Sequence, residues 1–267
     1  MPKLTQLFIY PIKALGGIEL IEAVVERRGL QYDRRRMLVD TNGQFASQRN
    51  LPQLALLGTS INNGILSVFV KKDPKKKIDI ELDWCPEDTC EVQIWKDHLK
   101  AFVYPDAINS WFSEFTGQEL RLVYMPDSLE RQADREYAPE GQFVSFADGF
   151  PYLIISQASL DDLNQRLDEP VPMNRFRPNL VVEDTLPFEE DDWGSIQIGD
   201  TPFDVVKPCA RCPVPTTDQE TGQRSPEPLK TLAGFRKKNN KVYFGQNAIW
   251  TGSGMQTIQI GSEIKIV

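Results

Sequence analysis

The chain has 267 residues, 40% hydrophobic and 25% charged, enough for two modest domains or one large one with a real core. Its formal net charge of −8 gives no reason to expect nucleic acid or an anionic membrane as partner, although a local basic pocket is compatible with it. Four cysteines are too few for a disulfide scaffold of this size, and the lone histidine, His98, excludes zinc sites and triads built on several histidines. The opening "MPKLTQLFIYPIKALGG" carries an apolar run broken by Pro11 and Lys13, too short for a secretory core or a membrane span, so a cytoplasmic location is expected. "LTQLFIY", "RRMLVD", "ILSVFV", "IDIEL", "VQIW" and "LKAFVY" are β-branched or aromatic and are separated by Gly, Asn, Asp or Pro, which predicts a mostly β region. The intervening "KKDPKKK" reads as a solvated basic turn. Asp106 then serves as an N-cap, Ile108, Trp111, Phe112 and Phe115 share a helical face, and Gly117 stands at C′.

"LRLVYM" resumes the β pattern, and the polar "ERQADREYAPEGQFVSFADGF" predicts a long loop of the kind that lines a site. "PYLIIS" reads as a buried strand and "SLDDLNQRL" as a helix, with Leu160, Leu163 and Leu167 on one face and Ser159 and Asp162 in a capping box. "SIQIGDTPFDVV" and "TIQIGSEIKIV" have the grammar of hairpins joined at Gly-Asp and Gly-Ser. Between them, "SPEPLKTLAGF" places proline near a helix start, with Leu229, Leu232 and Phe235 at helical spacing. The fold class expected is mostly β or α+β: a β-rich domain over residues 1–120, then a β-barrel with helical insertions over residues 121–267.

"VVKPCARCPVPTTDQETG" places Cys209 and Cys212 three apart around Arg211. A structural zinc site needs four ligands, and Cys85 and Cys90 are the only further cysteines. A thioredoxin-like dithiol is disfavoured, because Pro213 and Pro215 follow and "FDVV" reads as an antiparallel strand. Two readings stay open beside zinc: both sulfurs are buried as small hydrophobes, or a thiolate beside Arg211 ligates a redox-active metal.

"PCARCPVPTTDQETG", "EPLKTLAGFR" and "FGQNAI" resemble the C-terminal part of MOSC-domain proteins, the molybdenum cofactor sulfurase C-terminal family. "YPIKALGG", "GLQYDRRRMLVD" and "SQRNLPQLALL" resemble the β-barrel domain that precedes MOSC in the mitochondrial amidoxime-reducing component and its bacterial relatives, as do "SQASLDDLN" and "NRFRPNLVV". The resemblance implies a molybdenum cofactor of the Mo-molybdopterin type, with Cys212 as catalytic residue and metal ligand. It implies cofactor contacts from Lys13, Arg34, Ser156, Arg177, Asn179, Ala210, Arg211 and Asn247. Cationic and forked donors suit phosphate and pterin acceptors. Without the resemblance, Lys13 reads as a solvated strand-end lysine, Arg177 as a loop tie, and Ser156 and Asn179 as caps or turn residues. Alternation along "RRR" allows one or two of the three to point inward. Ala14 and Ala210 stand where relatives often have serine, and Asn247 where some have tyrosine.

The implied activity is reduction of N-hydroxylated small molecules, namely amidoximes, hydroxylamines or N-hydroxylated nucleobases, with detoxification and pyridoxal phosphate binding as family-level associations. No cysteine follows Cys212, so electrons are expected from a separate reductase or ferredoxin. A cofactor carrier or sulfur-delivery protein is the alternative, and a zinc-stabilised interaction module a further one.

Overall fold

The computed structural model describes residues 1–84 and 87–267, and strands dominate it. Its first part comprises β1 (Lys3–Ile9), β2 (Ile18–Leu20), β3 (Glu22–Glu26), β4 (Gly29–Leu30), β5 (Arg36–Val39), β6 (Leu57–Asn62), β7 (Ile65–Val70), β8 (Asp73–Glu81), β9 (Thr89–Ile94), β10 (Asp97–Val103), α1 (Asp106–Thr116) and β11 (Arg121–Tyr124). The remainder comprises β12 (Tyr152–Ser156), α2 (Gln157–Asn164), β13 (Leu180–Glu183), β14 (Ser195–Ile198), β15 (Thr201–Ala210), α3 (Leu229–Phe235), β16 (Lys237–Lys238), β17 (Lys241–Trp250), β18 (Gln256–Gln259) and β19 (Ile264–Ile266).

The main sheet runs β19-β14-β15-β17-β12-β13-β1-β2, with β16 paired to β17. Only β12 and β13 are parallel in it among the described residues, because α2 carries the chain across between them. Both faces of this sheet are covered. Along β12, Tyr152 and Ile154 join one core with Leu180, Val182, Ala248 and Trp250, while Ile155 turns to the other face with Val181, Phe244 and the α2 leucines Leu160 and Leu163. A two-residue side-chain period sends neighbours to opposite faces, so apolar residues at both parities demand two cores. In β1 the register against β13 shifts between Leu4 and Gln6. That bulge lets Leu4 and Leu7, three apart, enter the same core. Gly245 of β17 has φ +78°, and a Cβ there would lie 2.6 Å from Ile155 Cγ1, so glycine is required where β17 passes β12.

The expected boundary after residue 120 is crossed by backbone pairing. β11 joins β5, β10 and β9 in a four-stranded sheet, β18 joins β3 and β4, and β1 and β2 belong to the main sheet. Four expectations are corrected. "KKDPKKK" is a turn only at its first two lysines, and Asp73 onward enters β8, which among the described residues pairs with β7 alone. An edge strand tolerates proline, and its exposed lysines deter further pairing. "TIQIGSEIKIV" is not a hairpin: β18 pairs with β3 and β19 with β14. Ile258 and Ile264 both reach the first core, and the chain turns a corner between sheets at Gly261, φ +85°. α2 begins two residues earlier than expected, because the Ser156 hydroxyl, not Ser159, accepts the capping bond from Ser159 N at 3.0 Å. Likewise Pro105 is the N-cap of α1 and Asp106 its first residue, while Gly117 ends the helix in the left-handed region as expected.

Candidate functional site: a cationic cleft beside two thiols

The floor of the site is built where β1 ends. Tyr10 N donates to Asp33 Oδ1 at 2.7 Å, and Arg34 Nη1 donates to Asp33 Oδ2 at 2.7 Å. Arg34 donates further to Asn179 Oδ1 at 3.3 Å and Arg177 O at 3.2 Å. The Arg34 and Arg177 guanidiniums lie 4.4 and 4.1 Å from the Tyr10 ring centroid, so one aromatic ring supports two like charges. Burial works against the charge on Arg34, but Asp33 and Tyr10 offset it and leave Arg34 raised. Burial lowers Arg177 to about 10, still charged at neutral pH, and pushes Tyr10 up to about 12. Ala14, Arg34 and Arg177 all have positive φ, at 73°, 50° and 57°. Such backbone costs about 1–3 kcal/mol at each residue and persists where surrounding contacts over-determine it.

Burial and register separate the three arginines of "RRR". Arg34 faces the cleft; Arg35 donates to Met125 O and Asp127; Arg36 is buried against Tyr104 Oη and Leu82 O. Lys13 is also buried, but it is committed: Nζ donates to Phe146 O at 2.8 Å and to Asp148 Oδ1 at 2.5 Å. Phe146 and Asp148 belong to the long loop after β11, whose shape Arg131 fixes by donating to Ser145 O, Ala147 O and Asp148 O. Burial lowers Lys13 below the ordinary amine range although Asp148 pulls it upward. The burial that opposes charge on Asp148 is outweighed by Lys13, with help from Trp95, so the carboxyl stays well below the usual range.

The opposite lip is the end of β15 and the turn after it. Cys209 and Cys212 are half-buried free thiols. Arg211 meets the first of them, with Nη1 3.1 Å from Cys209 Sγ and Nη2 donating to Phe176 O at 2.7 Å. The turn is anchored from below by a reciprocal amide pair, Gln48 with Gln219 at 3.0 and 2.9 Å, and by Arg175 on Pro215 O and Asp218. Floor, loop and lip enclose about 870 Å³ of empty space, the open mouth and its solvent included.

Lys13, Arg34, Arg177 and Asn179 line this cleft, as do Ala210, Arg211, Cys212 and Asn247. Ser156 does not line it. It is fully buried, its hydroxyl caps α2 and meets Ser159 Oγ, and its backbone N donates to the buried Glu190, so the cofactor contact expected of Ser156 gives way to a local cap. The cleft wall carries five cations, Lys13, Arg34, Arg49, Arg177 and Arg211, against one carboxylate, Asp148. This is a basic pocket in an acidic protein. Asp148, Arg49 and Phe45 were not legible as site residues, because no motif joins segments about 100 residues apart.

Cys90 and the histidine lie elsewhere. Cys90 packs with the cluster around Met37 and Val92, where burial pushes its thiol up, and Cys85 lies outside the described residues. The described residues hold no group of three or more Cys, His, Asp or Glu arranged for a metal. His98 is exposed on β10 opposite Gln93. No helix among the described residues is long and apolar enough to cross a membrane.

A cofactor with a phosphate fits the donors present. Arg177 Nη2 and Arg211 Nε are buried and have no hydrogen-bond partner among the described residues, and buried donors left unpaired are costly unless a ligand completes them.

Comparison with known proteins accords with this architecture. Residues 1–119 match the family model described as the MOSC N-terminal beta barrel domain, and residues 142–265 the one described as the MOSC domain. The chain is 31% identical over 261 residues to a protein named molybdenum cofactor sulfurase from Oryza sativa subsp. japonica, covering 91% of this chain and 32% of the relative. With the protein of that name from Bos taurus it shares 29% over 283 residues, covering 98% and 32%. The chain thus spans about a third of the length of the curated relatives it matches. Among solved structures, the YUAD protein from Bacillus subtilis aligns over 99% of this chain and 94% of its own, at 10% identity and a TM-score of 0.46. These relatives carry the sulfurase name and not that of an amidoxime reductase. With one domain model over its first 119 residues and the other over residues 142–265, the chain is a member of the MOSC-domain family.

Proposed function

We propose that the cleft holds a molybdenum cofactor of the molybdopterin type, with Cys212 as the one sulfur ligand from the protein, and that the protein reduces N-hydroxylated compounds such as amidoximes and hydroxylamines. One observation carries the reading: a half-buried thiol shares a cleft with five cations, two of which keep a buried donor unpaired. A group of this kind supplies the two-electron redox step when bound. The chain supplies position and charge.

In this reading Arg177 and Arg211 present their free nitrogens to phosphate or pterin acceptors, and Arg34 holds Arg177 in place through its carbonyl. Asn179 acts indirectly: its Nδ2 donates to Phe8 O and its Oδ1 accepts from Arg34 and Leu153 N, so it orients Arg34. Asn247 Nδ2 is spent on Lys207 O at 3.1 Å. Asp148 stays ionised and therefore accepts a proton near neutral pH only weakly and donates none. Lys13, with Nζ held by Phe146 O and Asp148, is the buried cation closest to that carboxylate. Protons then enter from solvent at the open mouth, and electrons come from a separate reductase or ferredoxin in the cytoplasm.

A second reading, delivery or carriage of sulfur and cofactor, draws support from the name its relatives bear and from Cys209 lining the same cleft under Arg211. Protein purified from molybdate-fed cells separates the two. About one molybdenum per chain, an oxidisable pterin, and amidoxime reduction with an artificial donor support the reductase. Molybdenum with no N-hydroxy reduction under any donor supports the carrier, and stoichiometric zinc without pterin overturns both.

A further inference from the structure

Beyond the thiol and the four inner cations, Phe45 and Arg49 also line the cleft, and Trp95, just outside that lining, packs on both to make an aromatic shelf. Phe45 and Trp95 lie with ring centroids 5.3 Å apart. The Arg49 guanidinium sits over both, 4.3 Å from the Trp95 centroid and 5.3 Å from that of Phe45. Its only side-chain hydrogen bond among the described residues runs from Nε to Ser47 Oγ at 3.3 Å, and no carboxylate pairs with it. A guanidinium stacked on rings keeps its in-plane Nη donors aimed outward, the geometry that receives a carboxylate or phosphate.

Trp95 adds an independent sign. It occupies the tight turn between β9 and β10, where Ile94 pairs with Asp97. Such two-residue turns favour Gly, Asn or Asp. Here a tryptophan takes φ 56° and remains 41% exposed. A bulky residue in the left-handed region is strained, and nothing in the core is gained by holding it there. Trp95 Nε1 donates to Asp148 Oδ1 at 3.2 Å, which ties the ring to the loop lining the cleft. Because Lys13 neutralises Asp148 at 2.5 Å, that carboxylate leaves Arg49 free to attract an anion.

We propose that Phe45, Arg49 and Trp95 form a recognition subsite for the substrate, selecting planar molecules that carry a carboxylate or phosphate beside the N-hydroxylated group. The proposal rests on the reductase reading for its chemistry but not for its binding. The flat part of the substrate stacks against the exposed Trp95 edge of the shelf, and its anionic group takes the Arg49 Nη donors.

The test uses the full chain with cofactor loaded and compares benzamidoxime with 4-carboxybenzamidoxime. The wild type is expected to prefer the carboxylate compound through a lower KM, and Arg49→Gln to reduce that preference in kcat/KM about tenfold, as loss of one charge-assisted contact implies. Trp95→Gly should weaken both substrates while relieving the turn. A phosphate-bearing analogue, N-hydroxycytidine monophosphate against N-hydroxycytidine, distinguishes phosphate from carboxylate as the preferred anion. Binding is read separately, by quenching of tryptophan fluorescence on titration with 4-carboxybenzamidoxime, with Trp95→Phe identifying the responding ring. Should neither compound be turned over, the reductase reading fails, while quenching that disappears in Arg49→Gln still supports the subsite. Equal effects of Arg49→Gln on charged and neutral compounds overturn the proposal, as does loss of molybdenum and pterin in that variant, which would assign the shelf to the cofactor.

Discussion

The floor and the lip of the cleft are held in opposite ways. Asp33 is fully buried beneath Arg34, and Arg34, Arg177 and Asn179 share one closed network with Tyr10. At the lip the thiols themselves are less enclosed: Cys209 and Cys212 are half-buried, and Arg211 Nη1 lies 3.1 Å from Cys209 Sγ, while the turn beyond them is anchored by Gln48, Gln219 and Arg175. The contrast teaches where cost is met. Gathering like charges is expensive, so folding fixes them in advance through Asp33, the Tyr10 ring and backbone carbonyls, and a bound anion finds its donors already oriented. On the proposed reading the Cys212 thiol must stay accessible to ligate a metal, and its half-buried position is compatible with that.

The largest change in stability should come from the floor. Asp33→Ala removes the carboxylate that accepts from both Tyr10 N and Arg34, leaving a buried charge unpaired, and should cost about 3–5 kcal/mol in urea unfolding. A loss under about 1 kcal/mol would show that the floor is no more over-determined than the lip. At the lip the expected effect is on chemistry. Cys212→Ser should abolish bound molybdenum and amidoxime reduction, because a hard hydroxyl replaces a soft thiolate, while the fold is kept. Cys209→Ser should retain the metal and most activity at a cost of about 1–2 kcal/mol at most. Equal loss of metal in both variants, each folded, would return the pair to a shared zinc or dithiol role.

Two smaller effects sharpen the comparison. Tyr10→Phe keeps the ring between the two guanidiniums and loses only the bond from the hydroxyl to Pro178 O at 3.1 Å, so calorimetry should record about 1 kcal/mol. A much larger loss would mean that the hydroxyl, not the stacking, organises the floor. The last effect concerns pH. Burial holds Lys13 below the ordinary lysine range, so the unfolded chain binds that proton more tightly than the folded one. Stability therefore rises with pH from the lowered folded value up to the ordinary value of about 10.4. Asp148→Asn removes the partner that pulls Lys13 upward, and the rise should begin at lower pH. Urea midpoints compared at about pH 7, 8.5 and 10 read this directly. Parallel profiles for wild type and variant would show that Asp148 does not govern the Lys13 charge.

The same division marks what was readable from residues in order. "PYLIIS" announces a buried strand by its apolar run, and the Cys209 segment announces a thiol site by its composition. For Ser156 the resemblance implies a cofactor contact and the residue alone a cap; a serine ahead of a helix can bond a ligand or its own backbone, and the position of Ser159 N 3.0 Å away decides for the cap. Asp148 is signalled only as part of a loop expected to line a site and Arg49 only as part of the "SQRNLPQLALL" segment, while Trp95 carries no local signal as a site residue.

Periodicity, turn chemistry and motif spacing act within about ten residues, so the sequence by itself determined the strand-rich class, the helices and the kinds of side chain that meet at the cleft. Tertiary structure alone decided which arginine of "RRR" faces the cleft, that β18 and β19 part company, and that Lys13 meets Asp148 and Arg49 stacks on Trp95. Those outcomes depend on sheet order and on bulges that reverse a side chain's direction, and both follow from the packing of segments far apart in the chain.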